Sequence, residues 1–550
     1  MIGSFDATVS ILYVLVILAI GLYTGLRHRS ANKKNAASSY FLAGKSLKWP
    51  MIGLALFATN ISCVHLVSLA QSGFDTGLLN GTFEWMASFT LILLALFFVP
   101  FYIKSGVSTL PDFLEKRYNR ASRDWLAFIS ILSAIIIHIS FSLLAGGIVL
   151  QTLFGVNMYT SVIIIAVITT IYTVVGGLKA VVVTESIQTV VLLSGAVIMS
   201  VVAYQKMGGW DDMVHVLQQK NELNKLSMMR PHGDASGLPW YAVLLGYPVL
   251  GIWYWCADQT IVQRVLGAKD ENHARVGPLF CGFIKILPVF IFVMPGLFAY
   301  ALYQTGHLDV GSLKTVDAAG KEVVNSKGIY TLMILQLIPK GLAGILVAAL
   351  LSGLMSQISG ALNSISTLAS YDIYKRYKPE ASDDKLVRAG KIAAGISFVI
   401  SLLLLPLLNN YESIFNGLND IIAHIAPPIT CVFLLGVFWK KASAISAQLT
   451  LYIGSAAGVL IFIYSKTLPH SVIGQVPFMM MAFYLFVFCV LLQVGLSLIY
   501  KVQHTAESGV LYWRSPLESL NSLGWAGVGN YKFLSLLLIV IMAALFWLFR

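Results

Sequence analysis

Charged residues are scarce in this sequence. Only 11% of its 550 residues are Asp, Glu, Lys or Arg, and 57% are hydrophobic, whereas soluble domains carry about 25% charged residues. The shortage excludes an ordinary water-soluble domain, because most of the chain must contact something other than water. Several apolar stretches reach the roughly 20 residues that a helix needs to cross a bilayer. We therefore expect an all-α integral membrane protein.

Cysteines are few, and two common catalytic motifs are missing. The five cysteines, Cys63, Cys256, Cys281, Cys431 and Cys489, lie in apolar segments. That placement is typical of small buried side chains and resembles neither a disulfide framework nor a metal site. The chain has no HExxH and no GxSxG sequence, so we expect a protein that is not an enzyme.

The excess of basic residues follows the loops. The net charge is +12 at pH 7, but Lys and Arg cluster in alternate loops between apolar segments, as the positive-inside rule describes. This distribution argues against nucleic acid as a partner and, with an even number of spans, predicts both termini outside. The loops around 72–80, 153–158 and 409–411 carry no basic residue. The basic clusters are Arg27, Arg29, Lys33, Lys34 and Lys45; Lys104, Lys116, Arg117, Arg120 and Arg123; Arg264, Lys269 and Arg275; Lys375, Arg376 and Lys378; and Lys440 and Lys441.

The apolar pattern predicts about fourteen membrane-spanning helices in a single domain, residues 1–550. No linker or low-complexity segment divides them, and short loops without a large extramembrane domain are typical of a bacterial inner-membrane protein. The predicted spans lie near 7–26, 50–71, 81–103, 125–152, 159–177, 180–204, 239–260, 275–303, 342–368, 386–408, 412–438, 445–464, 474–500 and 531–549.

Two of these spans contain residues that interrupt a helix. The second contains the polar run 59–62 (TNIS), and the seventh contains Gly246, Pro248 and Gly251 before the aromatic run 253–255 (WYW). Five spans separate them, as expected for two inverted five-helix repeats that each open with a discontinuous helix. We expect a LeuT-like core with repeats at 50–204 and 239–438 and peripheral helices at 445–550. Unwound segments of this kind hold ions and solutes at the midplane.

Ionisable side chains also occur inside the spans, where they are costly. One acid, one base and two histidines lie near aromatic residues, and such groups bind hydroxyls while aromatic faces stack on sugar C–H surfaces. The pattern indicates a polyol site. The embedded groups are Glu84, Lys285, His65, His138, Glu185, Asp258 and Asp420.

Several longer motifs resemble the sodium/solute symporter family and its sodium–glucose cotransporter branch. They occur in family order from about residue 39 to 441. The motifs are residues 39–47 (SYFLAGKSL), 83–85 (FEW), 106–117 (GVSTLPDFLEKR), 253–269 (WYWCADQTIVQRVLGAK), 363–367 (NSIST), 371–374 (YDIY), 427–428 (PP) and 438–441 (FWKK).

The resemblance implies sodium-coupled symport of a sugar by alternating access. Tyr254 would be the inner lid that stacks on the sugar ring, with Trp255 beside it. The positions that match residues holding or gating the hexose are Asn60, His65, Glu84, Tyr254, Trp255 and Lys285.

Four positions depart from the family's sugar site. Asn419 stands where the family has a glutamine, Gly251 where it has a polar residue, and Ala87 where bacterial relatives have a serine. His138 stands where they have an asparagine. Lost donors and a gained imidazole change which hydroxyls are recognised, so the expected solute class is a sugar or cyclic polyol rather than glucose itself.

The resemblance also implies a sodium site between the first broken helix and the ninth span. Sodium is a hard cation that favours carbonyl and hydroxyl oxygens. Gln357 stands where the family has a second serine, so its amide oxygen would replace a hydroxyl. The other implied ligands are the carbonyls of Ala58, Ile61 and Gly353 and the hydroxyl of Ser356.

Other functions stay open at this point. Glu185 matches an acid on the family's sodium exit route. Sodium is favoured as the coupled ion, and coupling to protons or no coupling is the alternative. The same fold could carry a nucleoside, a carboxylate or a sialic acid, although Glu84 and Lys285 together favour a neutral solute. A sugar-gated sensor or channel, instead of a transporter, is the alternative from a different functional class.

Overall fold

The computed structural model describes residues 3–31, 36–234, 236–316, 320, 322–408 and 414–550. The described residues are mostly helical. A small hairpin, β1 (Lys314–Val316) and β2 (Glu322–Val324), pairs antiparallel with Lys314 opposite Val324. Lys33, Lys34 and the loop 409–411, all used in the topology prediction, lie outside the described residues.

The helices before the hairpin lie between Ser4 and Gln304. They are α1 (Ser4–Ala31), α2 (Ala36–Leu42), α3 (Trp49–Asn60), α4 (Cys63–Thr76), α5 (Gly81–Leu93), α6 (Val99–Lys104), α7 (Leu110–Arg117), α8 (Arg120–Ser133), α9 (Phe141–Phe154), α10 (Met158–Met207), α11 (Trp210–Gln219), α12 (Trp240–Ile252), α13 (Gln259–Leu266), α14 (Glu271–Ile284) and α15 (Met294–Gln304).

The helices after the hairpin include the long helix α17. They are α16 (Ile329–Leu337), α17 (Ala343–Leu368), α18 (Lys375–Tyr377), α19 (Asp383–Leu403), α20 (Leu405–Leu408), α21 (Ile414–Phe438), α22 (Ala444–Thr467), α23 (Phe478–Ile499) and α24 (Tyr531–Leu548).

Turns of π-helix join several of these helices into longer spans. Such turns widen a helix locally and often occur at functional sites. In the described part of the chain they are Leu94–Phe98, Ala134–Ser140, Trp253–Ala257, Val289–Val293 and Ala369–Tyr374.

Within the described ranges, 11 helices are long and apolar enough to cross a membrane. Every predicted span overlaps a helix. Two of the predicted spans run together in α10, and the two broken helices contain segments shorter than a full span. The all-α membrane fold is confirmed, while the number fourteen stays a prediction.

The long helix α10 bends where two spans were predicted to meet. Gly177 has φ 63° and ψ −165°, a backbone conformation that favours glycine. A Cβ at this position would lie 2.5 Å from the carbonyl oxygen of Tyr40. Gly177 therefore forms the bend between the two spans predicted at 159–177 and 180–204.

The first predicted break is present between α3 and α4. Ile61, with φ −81° and ψ 104°, ends α3, and Ser62 begins α4 as its N-cap. The Ser62 hydroxyl accepts a hydrogen bond from the Val64 N–H at 3.2 Å, which satisfies one of the free donors at a helix start. The polar run that marks the break is thus also the cap of the next helix.

The far end of α4 is held by the loop that follows α11. Lys225 Nζ donates hydrogen bonds to the carbonyls of Asp75 at 2.6 Å and Phe74 at 3.2 Å, and Arg230 donates to the carbonyl of Thr76 at 2.7 Å. Burial lowers the pKa of both basic side chains. These contacts satisfy the last carbonyls of the helix.

The second break lies later than the sequence predicts. Helix α12 continues through Gly246, Pro248 and Gly251 to Ile252, and the helical path opens only after the π turn, where Asp258 has φ −85° and ψ 123°. Gly246 instead allows close packing, since a Cβ there would lie 2.3 Å from the Met479 carbonyl oxygen. The glycines permit close helix packing, and the helix is interrupted only where the π turn ends, at Asp258.

Helix α17 lies at the centre of the fold. Its candidate span is 94% buried, the largest share among the spans found. Gly353 permits its approach to the first break, because a Cβ there would lie 2.8 Å from the Cys63 nitrogen. The break and α17 thereby come close enough to share a binding site.

Candidate solute and sodium sites

A single cavity is lined by nine residues of the predicted solute site, which are the six matching positions and three of the departures, His138, Gly251 and Asn419. The empty space between its lining side chains is about 790 Å³, which includes space open to solvent. The two broken helices contribute to its wall together with α5, α17 and α21. The predicted residues that line it are Asn60, His65, Glu84, His138, Gly251, Tyr254, Trp255, Lys285 and Asn419.

A buried ion pair lies in the wall of this cavity. Lys285, at the end of α14, pairs with Glu84 in the first turn of α5, and both residues are at most 3% exposed. Lys285 Nζ also donates a hydrogen bond to Asn60 Oδ1 at 2.6 Å. The opposite charges of Glu84 and Lys285 neutralise each other. Either charge alone would be far more costly to bury. The cavity therefore presents polar groups without a net charge from this pair.

Aromatic rings form another part of the wall. The Tyr254 and Trp255 rings meet edge to face with centroids 5.3 Å apart. Lys285 Nζ lies 5.7 Å from the Trp255 ring centroid. Rings beside hydrogen-bonding groups provide an apolar face and a polar edge for one ligand.

His65 lines the cavity and also caps α4. Its Nδ1 accepts a hydrogen bond from the Ser62 backbone N–H at 3.3 Å. This contact reciprocates the Ser62 cap, as in a capping box. His65 therefore stabilises the broken helix from a position inside the candidate solute site.

The structure explains one departure from the family pattern. A Cβ at Gly251 would lie 2.6 Å from the Tyr247 ring and 2.9 Å from Thr90 Cγ2. The space for a polar side chain is therefore occupied by Tyr247, which itself lines the cavity. Sequence analysis missed Tyr247, although its position seven residues before Tyr254 places both on one helix face.

A chain of hydrogen bonds crosses the cavity wall at His138. His138 Nε2 lies 3.0 Å from Asp258 Oδ2, and His138 Nδ1 lies 2.6 Å from Gln357 Nε2. The His138 and Tyr254 ring centroids are 5.8 Å apart. Asp258 is the second residue that sequence analysis left without a role, and it links α13 to the π turn that contains His138.

Part of the predicted sodium set converges near the first break. Ser356 Oγ lies 2.9 Å from the Ala58 carbonyl oxygen and 3.1 Å from the Gly353 carbonyl oxygen. Ala58 is in the last turn of α3, where carbonyls have no intrahelical partner. Ile61 follows as the residue that ends the helix. Carbonyl and hydroxyl oxygens are the ligands that a hard cation prefers.

Gln357 is placed differently from the predicted sodium ligand. Its side chain lines the solute cavity, and its amide nitrogen is hydrogen-bonded to His138. A serine at this position would be too short to reach across to His138. The longer side chain and its partner on the neighbouring span account for the difference.

Glu185, the predicted exit-route acid, is fully buried beside the first break. Its carboxylate pairs with Arg264 on α13, with Arg264 Nη2 2.5 Å from Glu185 Oε1. Thr59 Oγ1 donates to the same oxygen at 3.2 Å. The pair therefore connects the short helix after the second break to the residue that precedes Asn60.

We expect Gly353→Val to weaken sodium binding. The larger side chain would displace α17 from Ser62 and Cys63, which lie within 3 Å of an added Cβ. Overpacking costs about 1–3 kcal/mol, so the sodium concentration for half-maximal thermal stabilisation should rise about tenfold. Gly395→Val on α19, where an added Cβ meets nothing within 4 Å, should leave it unchanged. Equal responses of the two variants would contradict the close-approach argument.

Comparison with protein families gives one match over most of the chain. Residues 40–454 match the sodium:solute symporter family. Sodium/glucose cotransporter 1 of Oryctolagus cuniculus is 32% identical over 474 residues, which cover 82% of this chain and 71% of the relative. Sodium/glucose cotransporter 4 of Homo sapiens is 32% identical over 542 residues, which cover 95% and 78%.

Solved structures share the fold. A Na⁺-coupled sialic acid symporter in a substrate-bound outward-open state superposes with a TM-score of 0.76 at 22% identity, covering 92% of this chain and all of that one. Mhp1, a nucleobase-cation-symport-1 family transporter in a closed conformation, gives 0.51 at 13% identity, covering 89% and 99%. The chain thus has the LeuT fold that these transporters share.

Proposed function

Because the chain belongs to the sodium:solute symporter family, we propose that it carries a sugar or cyclic polyol together with sodium. Sodium-coupled solute symport by a multi-pass membrane protein follows from the family. The solute class is the part we propose. The observation that carries it is the gathering of all nine predicted solute residues around one cavity.

The chemistry of the cavity favours a neutral, hydroxylated ring. The Glu84–Lys285 pair offers both an acceptor and a donor while its charges cancel, which suits hydroxyls better than a carboxylate. Asn60 adds an amide within reach of the same lysine. Tyr254 and Trp255 supply ring faces for sugar C–H groups. Relatives named sodium/glucose cotransporters, 32% identical, support the same solute class.

The sodium ion would bind beside the solute at the first break. Ser356 Oγ already lies within hydrogen-bond distance of the Ala58 and Gly353 carbonyl oxygens, and Ile61 is the fourth candidate ligand. Bound sodium would fix the break against α17 and so order one wall of the solute cavity. This arrangement couples the two binding events, since each ligand stabilises the structure that the other needs.

Alternating access would then move the two inverted repeats relative to each other. We place the repeats at 50–204 and 239–438, with the helices in 445–550 at the periphery and both termini outside, in a bacterial inner membrane. Outward-facing protein would bind sodium first and the solute second. Release inward would follow once Tyr254 moves aside, with sodium leaving past Glu185.

The energy available from sodium is sufficient for accumulation. One charge moving through 100 mV supplies about 2.3 kcal/mol, and a tenfold gradient adds about 1.4 kcal/mol. Since each 1.4 kcal/mol corresponds to a factor of ten, one sodium ion could sustain a roughly few-hundredfold accumulation of a neutral solute.

Uptake of a labelled panel of hexoses and inositols into proteoliposomes tests this function. With an inward sodium gradient, at least one neutral member should accumulate, and without sodium it should not. Labelled sialic acid and a nucleoside serve as comparison solutes. Accumulation of one of these, with no response to any hexose or inositol, would contradict the proposed solute class.

Tyr254→Ala should reduce sodium-coupled uptake by more than about tenfold while the protein stays folded. The substitution removes the ring that lies 5.3 Å from Trp255 and with it a stacking surface that is hard to replace. Tyr254→Phe keeps the ring and should retain most of the uptake. Near-normal uptake by Tyr254→Ala, measured beside its thermal unfolding curve, would contradict the lid role.

A further inference from the structure

Gln357, predicted from the sequence as a sodium ligand, is the α17 side chain that lines the solute cavity. Gln357 is only 4% exposed and lines the solute cavity. Its amide oxygen, Oε1, is buried and has no hydrogen-bond partner among the described residues. Buried acceptors are rarely left unpaired, because each has lost its water without a replacement.

The direction of the Gln357 amide follows from Asp258. Asp258 Oδ1 accepts hydrogen bonds from the backbone N–H groups of Thr260 at 2.6 Å and Ile261 at 3.3 Å. Its other oxygen faces His138 Nε2 at 3.0 Å. A carboxylate can only accept hydrogen bonds, so the proton between them is on His138 Nε2.

The same reasoning extends one step further along the chain. Gln357 Nε2 lies 2.6 Å from His138 Nδ1. An amide nitrogen can only donate a hydrogen bond, so His138 Nδ1 is the acceptor. With the amide nitrogen directed at His138, the unpartnered oxygen is the polar atom of Gln357 left for a ligand in the cavity that this side chain lines.

We propose that Gln357 is a solute-binding residue, whose amide oxygen accepts a hydrogen bond from a hydroxyl of the transported solute, and that it is not a sodium ligand. His138 and Asp258 are positioning residues, since both ring nitrogens of His138 are already used within the protein. The inference rests on the proposed function, because it needs a hydroxylated solute in this cavity. It also changes the role of His138, from the predicted direct contact with the solute to positioning of Gln357.

The test separates solute binding from sodium binding. The full-length transporter is purified as wild type, Gln357→Met and Ser356→Ala, and sodium-dependent thermal stabilisation is measured without solute. Uptake is then measured at saturating sodium with the panel member that the wild type accumulates. Methionine keeps the length of the side chain but removes both hydrogen-bonding groups.

Gln357→Met should raise the KM for the solute about tenfold or more, since an unmet hydrogen bond in a buried site lowers affinity by about a factor of ten. Its sodium half-saturation should stay within about twofold of wild type. Ser356→Ala should show the opposite pattern, with weaker sodium binding in the absence of solute. A sodium half-saturation that rises as much in Gln357→Met as in Ser356→Ala would overturn the proposal.

Two failures are distinguishable in this design. A wild type that accumulates no hexose or inositol contradicts the proposed function. A wild type that accumulates one, with a KM that Gln357→Met leaves unchanged, contradicts only the role of Gln357. Gln357→Glu provides a second variant that keeps an acceptor oxygen, and it should fall between wild type and Gln357→Met in KM.

The positioning role of His138 has a separate readout. His138→Phe preserves an aromatic ring but releases the Gln357 amide, so it should raise the solute KM in the wild-type background. In a Gln357→Met background the same change should have little further effect, because residues that act through one another are not additive. Fully additive effects on KM would overturn the positioning role.

Discussion

Lys285→Met is expected to abolish solute uptake and to destabilise the protein strongly. Lys285 and Glu84 are almost completely buried and pair with each other, and removing one partner leaves the other charge uncompensated. Breaking a buried pair typically costs about 3–5 kcal/mol of folding free energy. The solute also loses the donor that lies beside Asn60. Thermal unfolding and proteoliposome uptake of the variant measure the two effects.

The double variant Glu84→Gln with Lys285→Met separates stability from transport. With both charges removed, no unpaired charge is left in the interior, so much of the lost stability should return. Uptake should stay low, because the Lys285 donor to solute hydroxyls is still missing. Recovery of uptake along with stability would mean that the pair is structural and does not bind the solute.

Arg264→Met should have an effect of similar size on stability. Arg264 and Glu185 are both fully buried, and Arg264 Nη2 lies 2.5 Å from Glu185 Oε1. Of the two side-chain donors to Glu185 described above, Arg264 and Thr59, only the Thr59 hydroxyl is left in this variant. We expect a loss of about 3–5 kcal/mol in the free energy of unfolding.

The matched control combines Arg264→Met with Glu185→Gln. This pair of changes should restore most of the stability, and any remaining defect in uptake reports on the sodium exit route. If the exit role is correct, the maximal uptake rate falls while sodium half-saturation without solute stays near wild type. A double variant with a normal uptake rate would contradict a transport role for Glu185.

The sequence predicted the membrane fold well because lipid imposes a simple rule. Backbone groups in a bilayer must be satisfied within a helix or a closed barrel, so long apolar runs identify helices directly. The first break was equally visible, since polar residues at 59–62 have no reason to lie in a span unless they serve a cap or a site. The structure shows that Ser62 is such a cap.

The second break was placed too early because local signals were given too much weight. Gly246 and Gly251 are usually associated with helix interruption, but here each accommodates a neighbouring group, the Met479 backbone and the Tyr247 ring. Pro248 lies inside a helix that continues past it. Such tertiary packing has no signature in a single sequence.

Motif matching grouped the candidate solute residues in one site. It placed Gln357 in the neighbouring sodium site, whereas its side chain lines the solute cavity. Motif matching places a residue in a helix, but it does not say which of two adjoining sites a longer side chain enters. Gln357 is hydrogen-bonded to His138, which lies 219 positions away in the chain. Both residues depart from the family pattern, and their contact became apparent only in three dimensions.

Solute accumulation at a controlled sodium gradient tests the central claim most directly. Proteoliposomes would be loaded with the panel member that the wild type takes up, at equal concentration on both sides, before a sodium gradient and membrane potential are imposed. The account predicts net solute movement along the sodium gradient, with reversal when the gradient is reversed. Solute that stays at equal concentrations on both sides, whatever the direction of the sodium gradient, would contradict coupled symport and indicate a channel or sensor.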